Sequence, residues 1–252
     1  MRFKGVFFDL YGTLLVLDDH AAAWADWFCA LSTSLSRSGL SISPSDLAVQ
    51  CEGLFEKHAP TPEDGVLSLY ERRIKALFLR LGAAPEAAAI RRAAADSLQA
   101  WNNHASLDPE AVPLLESLRS ACNLALISNF DHPAHIYAVL EKLELARFFP
   151  VVVVSGAVGA RKPDPRIFLP ALEATSLGPR EVAYLGDAPE DVRAATAAGI
   201  YPVLIRRPSA PSVECGRDFR SDTGAERPSQ EDPQFPGVTR ISSLSQLREC
   251  LG

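Results

Sequence analysis

The sequence predicts an α/β protein, a doubly wound parallel sheet with a helical cap inserted after the first strand. Three observations predict it. Short apolar runs alternate with helix-like segments after residue 105. Residues 18–104 carry helical periodicity and no clear strand pattern. Acids and other polar side chains fall where the apolar runs stop. Strand–helix alternation at this spacing builds a parallel sheet with helices on both faces. Right-handed crossovers then bring every strand's carboxyl end to one edge, where ligands of such sheets bind.

The elements follow in order. Residues 2–9 hold Val6, Phe7 and Phe8 without alternation, the mark of a strand buried on both faces. "YGT" at 11–13 supplies a turn. In 18–104, Trp24, Trp27, Phe28 and Leu31 keep the i, i+3, i+4, i+7 spacing of one apolar face, and Leu67, Tyr70, Ile74, Leu77, Phe78 and Leu81 repeat it. "SPSD" at 43–46 starts a helix with Ser43 as cap and Pro44 in the first position. "APEAAA" at 84–89 opens another, making four helices in all. Beyond 105 the sequence predicts helices over 108–120, 133–143, 165–176 and 189–198. It predicts strands over 123–128, 150–155, 181–187 and 201–206. Residues 207–236 are polar and rich in Pro, Ser and Gly, and predict a flexible loop. A short strand and helix close the chain. The expected division is therefore a core of 1–17 and 105–252 and a cap of 18–104.

Bulk composition narrows the function. A net charge of −6 over 252 residues repels phosphate backbones, which argues against nucleic acid. A small phosphorylated molecule stays compatible if positive charge is focused locally. The five cysteines are widely spaced and contain no C-x-x-C pair, so they read as free thiols of a reducing compartment. Asp9 interrupts what would otherwise mimic a signal peptide, and no apolar run is long enough to span a membrane. A cytoplasmic protein is expected. The sequence sets no oligomeric state.

Four polar clusters sit at predicted strand ends: Asp9, Ser128–Asn129, Lys162, and Asp187 with Asp191. Each has a plain reading alone. Asp9 and Asp187 suit turns, Ser128–Asn129 a polar loop, Lys162 an exposed turn before "PDP", and Asp191 the first turn of a helix. Placed on one sheet edge, three carboxylates would repel strongly. A lysine and a divalent cation resolve that, and hard oxygen ligands of this kind suit Mg²⁺. Glycine-rich "GAVGARKP" lacks P-loop spacing, and no G-x-S-x-G is present. His132 and His135 lie three apart without a third ligand nearby, and are expected at the surface or at a helix start.

"DLYGTL", "ISNFD", "KPDPRIF" and "GDAPEDV" occur in the order and context of the four motifs of the haloacid dehalogenase-like (HAD) superfamily. The chain resembles subfamily I, whose cap follows motif one. Within it, the chain looks most like the branch of haloacid dehalogenase-like hydrolase domain-containing protein 3. The resemblance implies a Rossmann-like HAD core and a Mg²⁺-dependent phosphatase acting on a small phosphorylated metabolite. It implies Asp9 as nucleophile, and Ser128 holding phosphoryl oxygens with neighbouring backbone N–H groups such as that of Asn129. Lys162 would neutralise both Asp9 and the transferring group. Gly12 would allow the tight turn, and Thr13 would brace the loop around Asp9. Mg²⁺ would be held by Asp9, Asp187, Asp191 and the backbone carbonyl of Tyr11.

Tyr11 departs from the pattern. Family phosphatases usually carry an Asp there that protonates the leaving oxygen and then activates water. A tyrosine, titrating near about 10, is a poor general base at neutral pH. Asp131 is a candidate replacement, or else the N-cap of the helix that "DHPAH" opens. Two alternatives stay open. One is a metal-independent 2-haloacid dehalogenase, which shares "DxYGT". Against it, that family usually has an arginine shortly after this turn, and residues 14–23 contain none. The other is a non-catalytic module that binds a phosphorylated ligand or a partner.

Overall fold

The computed structural model describes residues 2–55, 66–207 and 235–252. Strand β1 (Gly5–Phe8) is buried along its whole length. Strand β2 (Leu15–Leu17) follows. Four helices come next. Helix α1 (His20–Arg37) is capped by Asp19, whose carboxylate accepts from the Ala22 N–H. Helix α2 (Pro44–Gln50) starts as "SPSD" predicts, with the Ser43 hydroxyl accepting from the Asp46 N–H. Helix α3 (Leu69–Arg80) begins with a reciprocal capping box between Ser68 and Glu71. Helix α4 (Ala87–Asn102) ends this helical run.

Strand β3 (Ala105–Leu107), helix α5 (Ala111–Leu118), strand β4 (Asn123–Ser128) and helix α6 (Pro133–Lys142) follow. Strand β5 (Val151–Val154) runs into the single turn α7 (Ser155–Val158). Helix α8 (Leu169–Thr175), strand β6 (Val182–Gly186), helix α9 (Pro189–Ala198) and strand β7 (Tyr201–Ile205) come after. Strand β8 (Thr239–Ile241) and helix α10 (Leu247–Cys250) complete the described chain.

Among the described residues, six strands form one sheet in the order β5-β4-β1-β6-β7-β8. Every pairing is parallel. β1 lies inside the sheet, with Phe8 opposite both Leu126 of β4 and Leu185 of β6. Alternate residues enter different cores. Val6, Phe8, Leu124, Leu126 and Leu185 join one cluster, and Phe7, Ala125, Ile127 and Tyr184 join the other. This double-sided burial is why the strand sequences show no alternation. Each such fully buried Leu or Phe contributes about 1.5–3 kcal/mol.

The predicted elements differ from the observed ones in two places. The helix expected over 165–176 is a 3₁₀ turn, Pro165–Phe168, followed by α8. Pro170 lacks an N–H and cannot continue a preceding helix, so the α-helix restarts around it. β2 and β3 pair as a separate two-stranded sheet that was not expected, because three residues are too few to show a period. The loop expected over 207–236 lies, except for its ends, outside the described residues. The described cysteines, Cys29, Cys51, Cys122 and Cys250, form no disulfide among the described residues. No described helix is long and apolar enough to cross a membrane.

Residue contacts divide the chain into two units. The described residues of the first are 2–16, 107–207 and 235–252, which hold the six-stranded sheet. Those of the second are 17–55 and 66–106, which hold α1–α4. Inside the second unit the predicted faces are buried at Trp27, Phe28, Leu31, Tyr70, Ile74, Leu77 and Phe78. A polar chain crosses this interior. The Trp27 indole N–H donates to the Tyr70 hydroxyl at 2.7 Å, which lies 2.8 Å from the Ser97 hydroxyl. It joins α1, α3 and α4. Tyr70→Phe removes the acceptor and leaves the buried indole N–H unpaired. It is expected to destabilise this unit by about 1–3 kcal/mol, read as a lower midpoint in urea unfolding followed by tryptophan fluorescence.

Candidate active site

Parallel strands of matching register bring their carboxyl ends to one edge. Asp9 follows β1, Ser128 ends β4, and Asp187 follows β6. Asp191 sits in the first turn of α9. Carboxylate oxygens of Asp9, Asp187 and Asp191 all lie within 4.8 Å of one another. Two glycines permit this. A Cβ on Gly12, which has φ of +83°, would overlap the Asp187 carboxylate, and a Cβ on Gly186 would overlap Asp191.

Lys162 reaches into this cluster, with its side chain 3% exposed. Its ammonium lies 2.7 Å from Asp9 Oδ1, 2.6 Å from Asp191 Oδ1 and 2.9 Å from the Tyr184 hydroxyl. Burial works to lower the ammonium's pKa, and the two carboxylates outweigh it and hold the group above its ordinary range. Asn129 fixes the lysine from behind: its side-chain amide donates to the Lys162 carbonyl and accepts from the Lys162 N–H. That amide is thereby committed to the lysine backbone.

The acids differ in their partners. Asp191 accepts from Lys162, from the Tyr184 hydroxyl at 3.0 Å and from the Ala188 N–H at 2.9 Å. No hydrogen bond from a described residue reaches the Asp187 carboxylate. Asp187 is pushed well above the usual carboxylate range by desolvation first, then by Asp191 and Asp9, with Lys162 and Arg206 opposing. Burial likewise pushes Asp9 up to about 7, against Lys162 and with Asp191. The cluster is thus short of positive charge. Three converging carboxylates, one without a partner, fit a hard divalent cation.

Tyr11 is half-buried, and its hydroxyl lies 3.0 Å from His135 Nε2. Its ring stacks on Phe130 at 5.7 Å, and Phe130 stacks on His135 at 5.2 Å. Burial raises the phenol's pKa. Burial, with His132 assisting, lowers the imidazole to about 4. At neutral pH the two form an uncharged pair. His132 is the N-cap of α6 and His135 lies in its first turn, the helix start expected for both, and the contact with Tyr11 is an addition to that expectation. Asp131 is half-buried, and the N-cap of α6 is His132, so the capping role considered for Asp131 is not found. Ser128 is buried at 2% exposure. Thr13 is fully buried, and its hydroxyl finds no partner among the described residues. Its backbone ties the turn instead, the N–H donating to the Leu10 carbonyl.

Several contributors escape a reading of strand ends for acids. Tyr184 lies inside β6, where it reads as core. Arg206 and Arg207 follow β7 directly. The Arg206 guanidinium donates to the Asp187 carbonyl, and Arg207 donates to the Gly12 and Thr13 carbonyls at 2.6 Å each. Their signal was present: two consecutive cations stand where a fourth strand meets the same edge.

The profile of the haloacid dehalogenase-like hydrolases matches residues 3–199. The chain is 38% identical to a phosphoserine phosphatase of Thermus thermophilus over 153 residues, which is 60% of each chain. It is 38% identical over 86 residues to haloacid dehalogenase-like hydrolase domain-containing protein 3 of Bos taurus, 34% of each. The matches thus span at most about 60% of these two relatives' length. A HAD phosphatase structure from Thermococcus onnurineus superposes with a TM-score of 0.66 at 22% identity, covering 99% of this chain and 98% of that one, and shares the fold.

Gly12→Ala meets both a left-handed φ and the Asp187 overlap, and is expected to cost about 1–3 kcal/mol. Gly39→Ala, at φ +85° with open space around a Cβ, isolates the backbone part. Chemical unfolding of both should show the larger loss at Gly12. Equal losses would contradict the close approach of Asp187.

Proposed function

Because the chain belongs to the haloacid dehalogenase-like hydrolases, we propose that it is a phosphatase that passes the phosphoryl group of a small phosphorylated metabolite through Asp9. The observation that carries the proposal is the buried Asp9–Lys162 pair beside the unpartnered Asp187. An attacking carboxylate must approach a dianionic phosphate, and a buried ammonium between Asp9 and Asp191 offsets that repulsion. The phosphatase names of relatives support the same reading. In this reading residues 18–104 are the cap whose side chains choose the substrate.

Asp9, Asp187, Asp191 and the Tyr11 carbonyl would hold Mg²⁺. Bound there, Mg²⁺ supplies a Lewis acid that draws charge from the phosphoryl oxygens. The residues of the chain do the rest. Lys162 holds Asp9 Oδ1 and leaves the second carboxylate oxygen to attack phosphorus. Ser128, with the Asn129 backbone N–H, receives the equatorial oxygens, while the Asn129 side chain keeps Lys162 in place. The P–O bond to the leaving group breaks with its electron pair on that oxygen. Water then attacks the aspartyl phosphate, releasing inorganic phosphate and restoring Asp9.

Tyr11 sets the substrate bias. Its phenol holds its proton more tightly than usual and is bonded to a neutral imidazole. It is a weak acid for a leaving oxygen and a weak base for water. Leaving groups that depart without a proton, such as aryl and acyl phosphates, are therefore favoured. Asp131 is the candidate for the remaining proton transfer. The acid cluster and the Lys162 network support this reading over a metal-independent dehalogenase. Assays of phosphate and halide release, each with Mg²⁺ and with EDTA, separate the two.

Two tests follow from these roles. Asp9→Asn is expected to lower Mg²⁺-dependent aryl phosphate hydrolysis by roughly 10³-fold or more with circular dichroism unchanged, and retained turnover would sink the assignment. Tyr11→Asp should raise alkyl phosphate hydrolysis relative to aryl, closing part of a gap of about 10²–10⁴.

The raised carboxylates give a pH test. Without a cation, the Asp9 carboxyl in the fold titrates near 7, above its unfolded value near about 3.9. Its contribution to stability is then full below the unfolded value and is lost as pH rises through 7. A cation competing with these protons stabilises more as pH rises. The gain in Tm on adding Mg²⁺ should be larger at pH 8 than at pH 5.5, and should shrink in Asp187→Asn. A gain independent of pH would contradict cation binding at these acids.

A further inference from the structure

Arg207 stands one residue past the end of the β7–Arg206 segment and splits its guanidinium between two tasks. Nη1 donates to the Gly12 carbonyl at 2.6 Å, and Nη2 donates to the Thr13 carbonyl at 2.6 Å. Nε and Nη2 donate to Asp108 Oδ2 at 3.1 and 2.6 Å. Asp108 is itself fixed: its N–H donates to the Leu14 carbonyl, and its Oδ1 accepts from the Glu110 N–H.

The turn after Asp9 has its own internal bonds. The Leu14 and Leu15 N–H groups both donate to the Leu10 carbonyl at 2.8 Å, and the Gly12 N–H donates to the Leu15 carbonyl at 2.7 Å. These fix amides but leave two adjacent carbonyls, Gly12 and Thr13, to be satisfied. Thr13 is fully buried, so water offers little there, and its hydroxyl supplies nothing. The same turn touches the acid cluster, since a Cβ at Gly12 would strike Asp187.

We infer that Arg207 is a positioning residue for the reaction: its guanidinium locks the Gly12 and Thr13 peptide planes and through them the backbone of Asp9 and Tyr11, with Asp108 locking the guanidinium. Asp108 balances its charge directly, so Arg207 acts through geometry, not through its field at phosphorus. A planar fork can grip two successive carbonyls and a carboxylate together, which a lysine cannot. The inference rests on the phosphatase reading for its kinetic readout and on the turn's geometry for its second.

The test uses Arg207→Lys and Arg207→Ala in the full chain, with kcat and KM for an aryl phosphate. Misplacing a reacting group by about 1 Å costs on the order of 10² in rate. The expected result is a fall of that size in kcat with KM within about twofold, and partial recovery of Arg207→Ala by added guanidinium ion. Hydrogen exchange at the Leu14 and Leu15 amides should quicken in both variants. Unchanged kcat in both, or a loss confined to KM, overturns the inference. If Arg207→Ala does not fold, Arg207→Lys, which keeps the cation, decides alone. Should the wild type hydrolyse no aryl phosphate, the phosphatase reading fails and the exchange rates decide separately: unchanged rates in Arg207→Lys overturn the positioning role, and faster rates support it.

Discussion

One buried ammonium organises the site. Lys162 touches Asp9, Asp191 and the Tyr184 hydroxyl from a position closed to solvent. Removing such a charge from water costs several kcal/mol, and the cost is met only with good geometry and opposite charge around it. Two acids supply the charge. The Asn129 amide supplies the geometry by holding the lysine's backbone at both its N–H and its carbonyl. Without that ammonium, the three carboxylates would face one another at the end of the sheet with no resident cation among their described contacts except the arginines behind Asp187 and Gly12.

The sheet delivers these groups because its strands are parallel and in step. β1 lies between β4 and β6, so whatever follows Phe8, Ile127 and Leu185 meets at one place. That much was legible. Unbroken apolar runs mark doubly buried strands, and acids at their ends mark the edge. Asp9 and Asp187 come together as the strand-end rule requires, with Asp191 in the first turn of α9, whereas Lys162 arrives from the segment beyond α7 and not from the end of β5 as expected. The helical run and the Ser43 cap were legible for similar reasons, since periodicity and cap chemistry are local.

What was not legible depends on side-chain direction. Tyr184 sits mid-strand among core residues, and only its hydroxyl's reach makes it part of the site. His135 lies on a helix far along the chain from Tyr11, and no spacing rule connects them. The aromatic run Tyr11–Phe130–His135 answers part of the question that Tyr11 raises. Its side chain is engaged in stacking and in an uncharged hydrogen bond. Phe130 is held in turn by the Ser155 hydroxyl, which accepts from its N–H, and by the Gly156 N–H, which donates to its carbonyl.

Asp191 serves two masters. One oxygen faces Lys162 and Tyr184, and the other receives the N–H of Ala188, where α9 begins. Replacing it therefore unfastens a helix entrance as well as altering the charge beside Asp9. Asp187 holds up no element of its own among the described contacts. Asp187 and Asp191 of "GDAPED" are thus unequal as experimental handles: a change at Asp191 also disturbs the entrance of α9, and a change at Asp187 leaves that entrance intact.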